Sequence, residues 1–281
     1  MAQNSKKNFS LTRWIIILIL IVLNIIMIFL PDNLSMIMAI CAMITAVFAF
    51  AHGYQRYGIK NMIIFFLITW IVSNFFESLS IAVGFPFGDY YYTMPGPRIV
   101  NVPIVIMPAY FGMGYLSWTL SNALLNQYGK KLSGIWIFLV PLITAFIMVM
   151  WDLVFDPNAS TINQNWIWEN EGVYFGVPIS NYFGWFLVVY LFAQIFALYI
   201  SKFDQVSHPD KMNKIYWLEP SIVYGLQGIS LVIPAVVIQE NVETNASMAL
   251  VTVFTMIFVA ILSGIHTLSS NNLAKVTTAN L

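Results

Sequence analysis

The sequence is short of charge. Only 9% of its 281 residues are Asp, Glu, Lys or Arg, against roughly 25% in a soluble domain, which excludes a water-soluble globule. The charges present cancel, 12 basic against 12 acidic. That balance excludes a basic nucleic-acid binder and an acidic tail protein. A single cysteine, Cys41, excludes an internal disulfide, and the sequence holds no Cys/His spacing that fits zinc. What it has in plenty is apolar surface: 59% hydrophobic residues and a mean hydropathy of +0.79. These proportions describe an all-α, polytopic transmembrane bundle, a single membrane domain over residues 1–281.

A crossing helix needs about 20 apolar residues. Eight stretches approach that length: 14–30, 34–51, 62–83, 102–125, 135–155, 178–200, 217–238 and 248–267. The first follows Lys6, Lys7 and Arg13 and reads as an uncleaved anchor, because it is long for a signal peptide and no small-residue cleavage site follows it. Only Pro31-Asp32-Asn33 separates it from the second, so the two form a tight hairpin. Gly225, Gly228 and Pro234 interrupt the seventh, and kinks are expected at Pro108, Pro141 and Pro234. Orientation follows the basic residues. Eleven fall on one side of this alternation, Lys211, Lys214 and Lys275 among them, and only Arg98 falls on the other. The expectation is eight spans with both termini cytoplasmic.

Two outward connections, 84–101 and 156–177, are long and rich in Gly, Pro and aromatics. Long ordered connections are usually functional. The run Gly84-Phe-Pro-Phe-Gly88 faintly echoes Gly172-Val-Tyr-Phe-Gly176, too briefly to make a duplicated unit.

Charge inside a bilayer costs roughly 2.5–3.5 kcal/mol on insertion scales, and only three acids fall within the spans. Glu219, at the inner start of the seventh, has a structural explanation: it complements a helix dipole and lies close to Lys211 and Lys214. Glu77 is different. Ser73, Glu77 and Ser80 repeat at helical spacing and make a polar stripe that should face the bundle interior. Asp152 and Asp156 stand four residues apart, on one helical face. Pro157 disfavours helical geometry at Asp156, so the helix is expected to stop there, with the pair at the membrane–water boundary. Glu77, Asp89, Asp152, Asp156, Glu169 and Glu171 all fall at the outer face, while His52, His208 and His266 fall at the inner one. A carboxylate-bridged di-iron centre needs both ligand types on facing helices, and here about 30 Å of bilayer parts them. A retinal Schiff base fails as well, for want of a lysine inside a span.

Tyr90, Tyr91, Tyr92, Trp151, Trp166, Trp168, Tyr174 and Trp185 gather at the same outer end as the acids. Trp and Tyr favour membrane interfaces, but beside acids they gain chemical meaning, since a desolvated aromatic face stabilises a cation by ~2 kcal/mol or more.

These residues resemble the carotenoid biosynthesis membrane family that includes bisanhydrobacterioruberin hydratase and γ-carotene 1′-hydroxylase. The matching pieces are Glu77, the run 84–93, Gly96-Pro97, Val102-Pro103, Trp151-Asp152, Asp156-Pro157, Trp166-Ile-Trp168, the run 172–178, Asn181 and Gly184-Trp185. The likeness covers about residues 70–190.

The resemblance implies a cofactor-free hydratase in a bacterial or archaeal plasma membrane. It would add water to the terminal double bond of an acyclic carotenoid, leaving a tertiary alcohol. No metal is needed, and other carotenoid-pathway enzymes are possible partners beside the lipids. A carboxylic acid protonates the alkene, and a second carboxylate takes the proton of the attacking water. Glu77, the deeper carboxyl, suits the acid, and Asp152 or Asp156 the base, although the labels can be exchanged; Asp89 is a third carboxylate in reach. Tyr90, Tyr92, Trp151 and Trp185 are candidates to shield the cation, with Trp166 and Trp168 beside them as substrate-binding residues, and Asn181 to orient the water. Kinked helices and small residues such as Gly112 and Gly114 could open a slot for the rod. Two rival readings use the same residues: a lipid or isoprenoid transporter with the acids as a proton relay, and a non-catalytic scaffold of a pigment-making complex.

Overall fold

The computed structural model describes residues 2–204 and 212–270. His208, Lys211 and Lys275 lie outside the described residues. Helix α1 (Ala2–Phe29) turns through a 3-10 segment, Pro31–Asn33, into α2 (Leu34–Val83). Arg13 on α1 meets Gln55 on α2 at 2.7 Å, as a hairpin requires. Helices α3 (Ile106–Leu124), α4 (Trp136–Asp156), α5 (Ile179–Phe203), α6 (Lys214–Val232), α7 (Pro234–Val237), α8 (Val242–Thr252) and α9 (Phe258–Ser269) follow. A π-helical turn, Val253–Ile257, joins the last two. Between α2 and α5 lie four short strands: β1 (Tyr90–Tyr92), β2 (Arg98–Ile99), β3 (Val102–Pro103) and β4 (Trp166–Trp168).

Among the described residues, six stretches are long and apolar enough to cross a membrane, and the chain is an integral membrane protein. One of them, Pro31–Val83, holds 53 residues. At 1.5 Å per residue that is more than twice a ~30 Å hydrocarbon core. The helix breaks at one residue, Gly58, whose φ of 74° lies in the left-handed region that glycine adopts at little cost. The connection expected around Arg56 and Lys60 is thus this one-residue kink, with helical residues on both sides.

Helix α3 is not among the six. Its polar residues, Ser117, Thr119, Ser121 and Asn122, lower its hydropathy, yet all four are buried. Three of them donate to backbone carbonyls: Thr119 to Tyr115, Ser121 to Val140 and Asn122 to Trp118. A helix buried all round is the core of the bundle. Gly112 lets it approach α2, where an added Cβ would meet the Ala46 backbone nitrogen at 3.0 Å, and Gly114 does the same against Phe192. These glycines close helix contacts and do not open the slot expected of them. Pro234 does end α6, whereas Gly225 and Gly228 sit inside an unbroken helix.

The two long connections fold together into a cap over one end of the bundle. Strands β1 and β4 pair antiparallel, with Tyr90 opposite Trp168 and Tyr92 opposite Trp166. Alternate residues of a strand face one side, so these four aromatics turn inward and are buried while Tyr91 is exposed. The ribbon is the one departure from an all-helical reading that matters for the site. Ser80, the last residue of the polar stripe, binds the cap: its Oγ donates to Gly88 O and accepts from Phe87 N. From α5, Ser180 Oγ donates to Phe87 O at 2.9 Å. Gly184, one turn on, leaves room for Phe87, which an added Cβ would meet at 2.7 Å.

The opposite end carries buried ion pairs. Arg13 binds Glu219 at 2.5 Å, and Arg56 binds Asp204 at 2.7 Å, all four side chains nearly inaccessible. Glu219 is thus held by an arginine, while Lys214 donates to Leu268 O. His52 between the two pairs donates from Nε2 to Tyr216 O, shares a hydrogen bond between Nδ1 and Tyr115 Oη, and stacks on the Tyr216 ring.

Breaking a buried pair strands a charge, at about 3–5 kcal/mol. Arg13→Leu and Glu219→Leu should each lower the detergent-solubilised unfolding midpoint, and the double variant should regain most of the loss. Crowding at Gly184 costs about 1–3 kcal/mol. Gly184→Val should therefore speed proteolytic cutting within residues 84–105. Gly225→Ala, whose Cβ meets only Ala260 Cβ at 3.4 Å, should leave cutting unchanged.

Candidate active site

Under the cap lies a cavity of about 40 Å³. Glu77 enters it from the C-terminal arm of α2, on the stripe that also carries Ser73 and Ser80. All three side chains are buried and face the bundle interior, as does Thr69 two turns below Glu77. A buried carboxyl needs hydrogen-bond partners, and Glu77 has three. Tyr92 Oη donates to Oε2 at 2.9 Å and Tyr110 Oη to Oε1 at 2.5 Å; Tyr90 Oη donates to Oε2 as well. Burial, and then the neighbouring Glu77, push the Tyr90 and Tyr92 hydroxyls well above their ordinary value. Both therefore keep their protons and act as donors.

The second acidic group comes from the end of α4. The helix does not stop at Asp156, as Pro157 led one to expect. Asp156 keeps helical angles (φ −61°, ψ −50°), and the chain widens into a π-helical turn, Pro157–Ile162. A wider turn accommodates the proline ring and its missing N–H. Asp152 and Asp156 therefore stay on one face, and the cap buries them to 0% and 2% exposure; they do not sit at an open water boundary. Asn181, in the first turn of α5, bridges them. Its Nδ2 donates to Asp152 Oδ2 at 3.1 Å and to Asp156 Oδ2 at 2.5 Å. Those two oxygens are no further apart than these bonds laid end to end. Asp156 and Asn181 line the cavity; Asp152 stands behind them, its Oδ1 buried without a protein partner.

Aromatic rings make the rest of the wall. Tyr110 and Trp185 stack, centroids 4.4 Å apart and planes within 3°. Trp151 stands edge-on to Trp185 at 5.8 Å and stacks on Phe155 at 4.2 Å. Trp168 packs on Tyr90 and Trp166 on Tyr92, while Trp168 Nε1 donates to Ser160 Oγ. A small hollow with two separate carboxyl groups and several π faces can donate a proton, hold a cation and accept a proton.

The structure brings together Glu77, Asp156, Tyr90, Tyr92, Trp151, Trp166, Trp168, Asn181 and Trp185 around one space, with Asp152 directly behind. It does not bring Asp89 there. Asp89 is exposed, and its carboxylate lies over Gly84, within 2.6 Å of where a Cβ would stand. The ribbon pairing explains this: inward Tyr90 forces its strand neighbour outward. Glu169 and Glu171 are exposed too. Sequence reasoning missed Tyr110, Phe87, Phe155, Ile106 and Ala109, all of which line the cavity. For Tyr110 a signal existed: a tyrosine shortly after Val102-Pro103, at the same end of the bundle as Glu77. Among the described residues, no group of three or more His, Cys, Asp and Glu side chains is placed to hold a metal ion.

A family model for carotenoid biosynthesis proteins matches residues 32–279. No curated protein and no solved structure matches significantly. The match extends the likeness well beyond residues 70–190, over the second helix and the last two long ones, and covers nearly the whole bundle. This chain belongs to the carotenoid biosynthesis protein family and has its place among the membrane proteins of that pathway.

Proposed function

We propose that this protein is a cofactor-free hydratase that adds water to the terminal double bond of an acyclic carotenoid. The observation that carries the reading is that Glu77 and Asp156 reach one aromatic-walled cavity from different helices. Asp156 and Asp152 share the Asn181 amide, and two like charges so close repel. A single proton held between them relieves that repulsion, and the pair is the proton source. Asp156, on the cavity wall, delivers it to the less substituted alkene carbon. The π electrons form the new C–H bond, and a tertiary cation develops on the neighbouring carbon.

Glu77 is suited to face that cation. Three tyrosine hydroxyls donate to it, and the ionised form, with two acceptor oxygens and no proton of its own to place, takes all three most readily. Fixed dipoles and a counter-charge aimed at developing charge lower a barrier without reorganising. The stacked Tyr110 and Trp185 rings and Trp151 supply π faces to the same cation. Water then forms the C–O bond, and its extra proton passes to Glu77 and is returned to the aspartate pair. The net change is one water added, with no electron donor or acceptor. The roles first expected, with Glu77 as acid and an aspartate as base, are exchanged in this assignment.

In the orientation read from the basic residues, the bundle crosses eight times with both termini cytoplasmic, and the cap faces outward in a plasma membrane. The other pathway enzymes are natural neighbours, since substrate and product both stay in lipid.

The test is product mass in cells that accumulate lycopene. The wild-type chain should raise carotenoid mass by one or two waters, and the oxygen should come from labelled water. General acid–base groups contribute about 10²–10⁴-fold. Glu77→Gln and Asp156→Asn should therefore lose at least about 100-fold of product at unchanged protein level, while exposed Asp89→Asn keeps it. Unlabelled product oxygen, or full product from both acid variants, would overturn the assignment. Unchanged carotenoid mass with altered pigment distribution would point to the transporter instead.

A further inference from the structure

We infer that the cavity is entered sideways from the lipid, through a mouth between the start of α3 and the end of α4, and that the mouth admits the end of an apolar polyene while the rest of the chain stays in the bilayer. The inference rests on the hydration reading for the polyene's identity only.

Most cavity-lining residues are buried, Glu77, Tyr110, Asp156, Asn181 and Trp185 among them. The lining residues that retain partial exposure are Ile106 and Ala109 on α3 and Phe155 on α4. They mark where the cavity meets the surface, and none carries a polar side chain. Two valines are well exposed next to the α3 rim, Val105 at 51% and Val100 at 68%, with exposed Asn101 between them in the chain. An aqueous entrance would expose polar groups at its rim.

The polar face lies elsewhere. Trp166 and Trp168 form one wall of the cavity and, on their far side, one wall of an outer hollow of about 310 Å³. Ser160, Thr161, Gln164 and Glu171 also line that hollow. The two tryptophans thus stand between an acid-bearing cavity and a polar surface, and the opening is on the apolar side. Size completes the argument. A water needs about 10–15 Å³ of such volume, so ~40 Å³ offers about three water-sized places, room for a chain tip but not for the body of the chain.

The experiment needs no turnover. The chain has one cysteine, Cys41, which is buried. In a Cys41→Ala background reconstituted into phosphatidylcholine liposomes, Ala109→Cys is treated with a lipid-soluble pyrene maleimide and with a charged, membrane-impermeant maleimide. The lipid-soluble reagent should react at least tenfold faster, and lycopene in the liposomes should slow it severalfold. Thr161→Cys, on the outer hollow, should show the reverse preference and no effect of lycopene. Phe155→Cys reads the same mouth from the opposite rim should Ala109→Cys not fold. Faster reaction with the charged reagent at both rims, no reaction with either, or no protection by lycopene would overturn the portal. Protection without any water adduct in cells would keep the portal and overturn the hydration chemistry, so the two failures are distinguishable.

Discussion

The Glu77 carboxyl is the point on which this end of the molecule closes. A carboxyl taken out of water and left unpaired would cost several kcal/mol. Its three hydroxyl partners come from two elements distant in sequence: Tyr90 and Tyr92 from the ribbon, Tyr110 from the central helix. Satisfying one acid therefore fixes the cap onto the bundle. The same tyrosines pack on Trp168, Trp166 and Trp185, so the polar knot also sets the positions of the rings. Hydrogen bonding and ring packing share the same side chains, which is why the cavity walls are positioned together.

The other end solves the same problem by a different chemistry. There each buried acid has its own arginine, Glu219 with Arg13 and Asp204 with Arg56. Paired charges are inert as acids, because each carboxylate is already neutralised by a cation that does not give up its proton. At the cap end no arginine or lysine lines the cavity. Its acids are held by neutral donors, tyrosine hydroxyls and an asparagine amide, which leave the proton inventory free to change. The contrast separates a clamp from a reactive centre more clearly than burial does, since both ends bury their acids equally.

Much of this was legible in the sequence, because period and composition act locally. The stripe Ser73, Glu77, Ser80 faces inward since a helix repeats every 3.6 residues, and no long-range contact can alter that. The Asp152–Asp156 pair shares a face for the same reason. What could not be read depended on partners far away in the chain. Pro157 argues for a stop at Asp156, but a π turn beneath the cap absorbs it. Asp89 looked equivalent to the other acids until strand pairing turned it outward. Helix α3 looked like another lipid crossing, and its burial on all sides follows from packing that hydropathy does not encode. Arg13 and Arg56 sit where flanking cations are expected, and only the fold reveals that each has a buried acid to meet.

A reaction that needs water in a membrane faces two opposite demands. Too much water captures the cation before the chain is positioned and strips the acid of its apolar setting; too little leaves nothing to add. For the proposed hydration, a cavity of about 40 Å³ would answer both, because it has room for only a few waters. The ring walls do the rest. Ring faces stabilise positive charge without being bases, so they would hold the proposed cation without removing its neighbouring protons, and the hydroxyls of Tyr90 and Tyr92 remain protonated. In the proposed reaction, elimination back to an alkene would compete only through Glu77 and the aspartate pair. For the proposed hydration, the balance with its reverse would depend on how much water the cap admits, which would make the Trp166–Trp168 wall part of the chemistry.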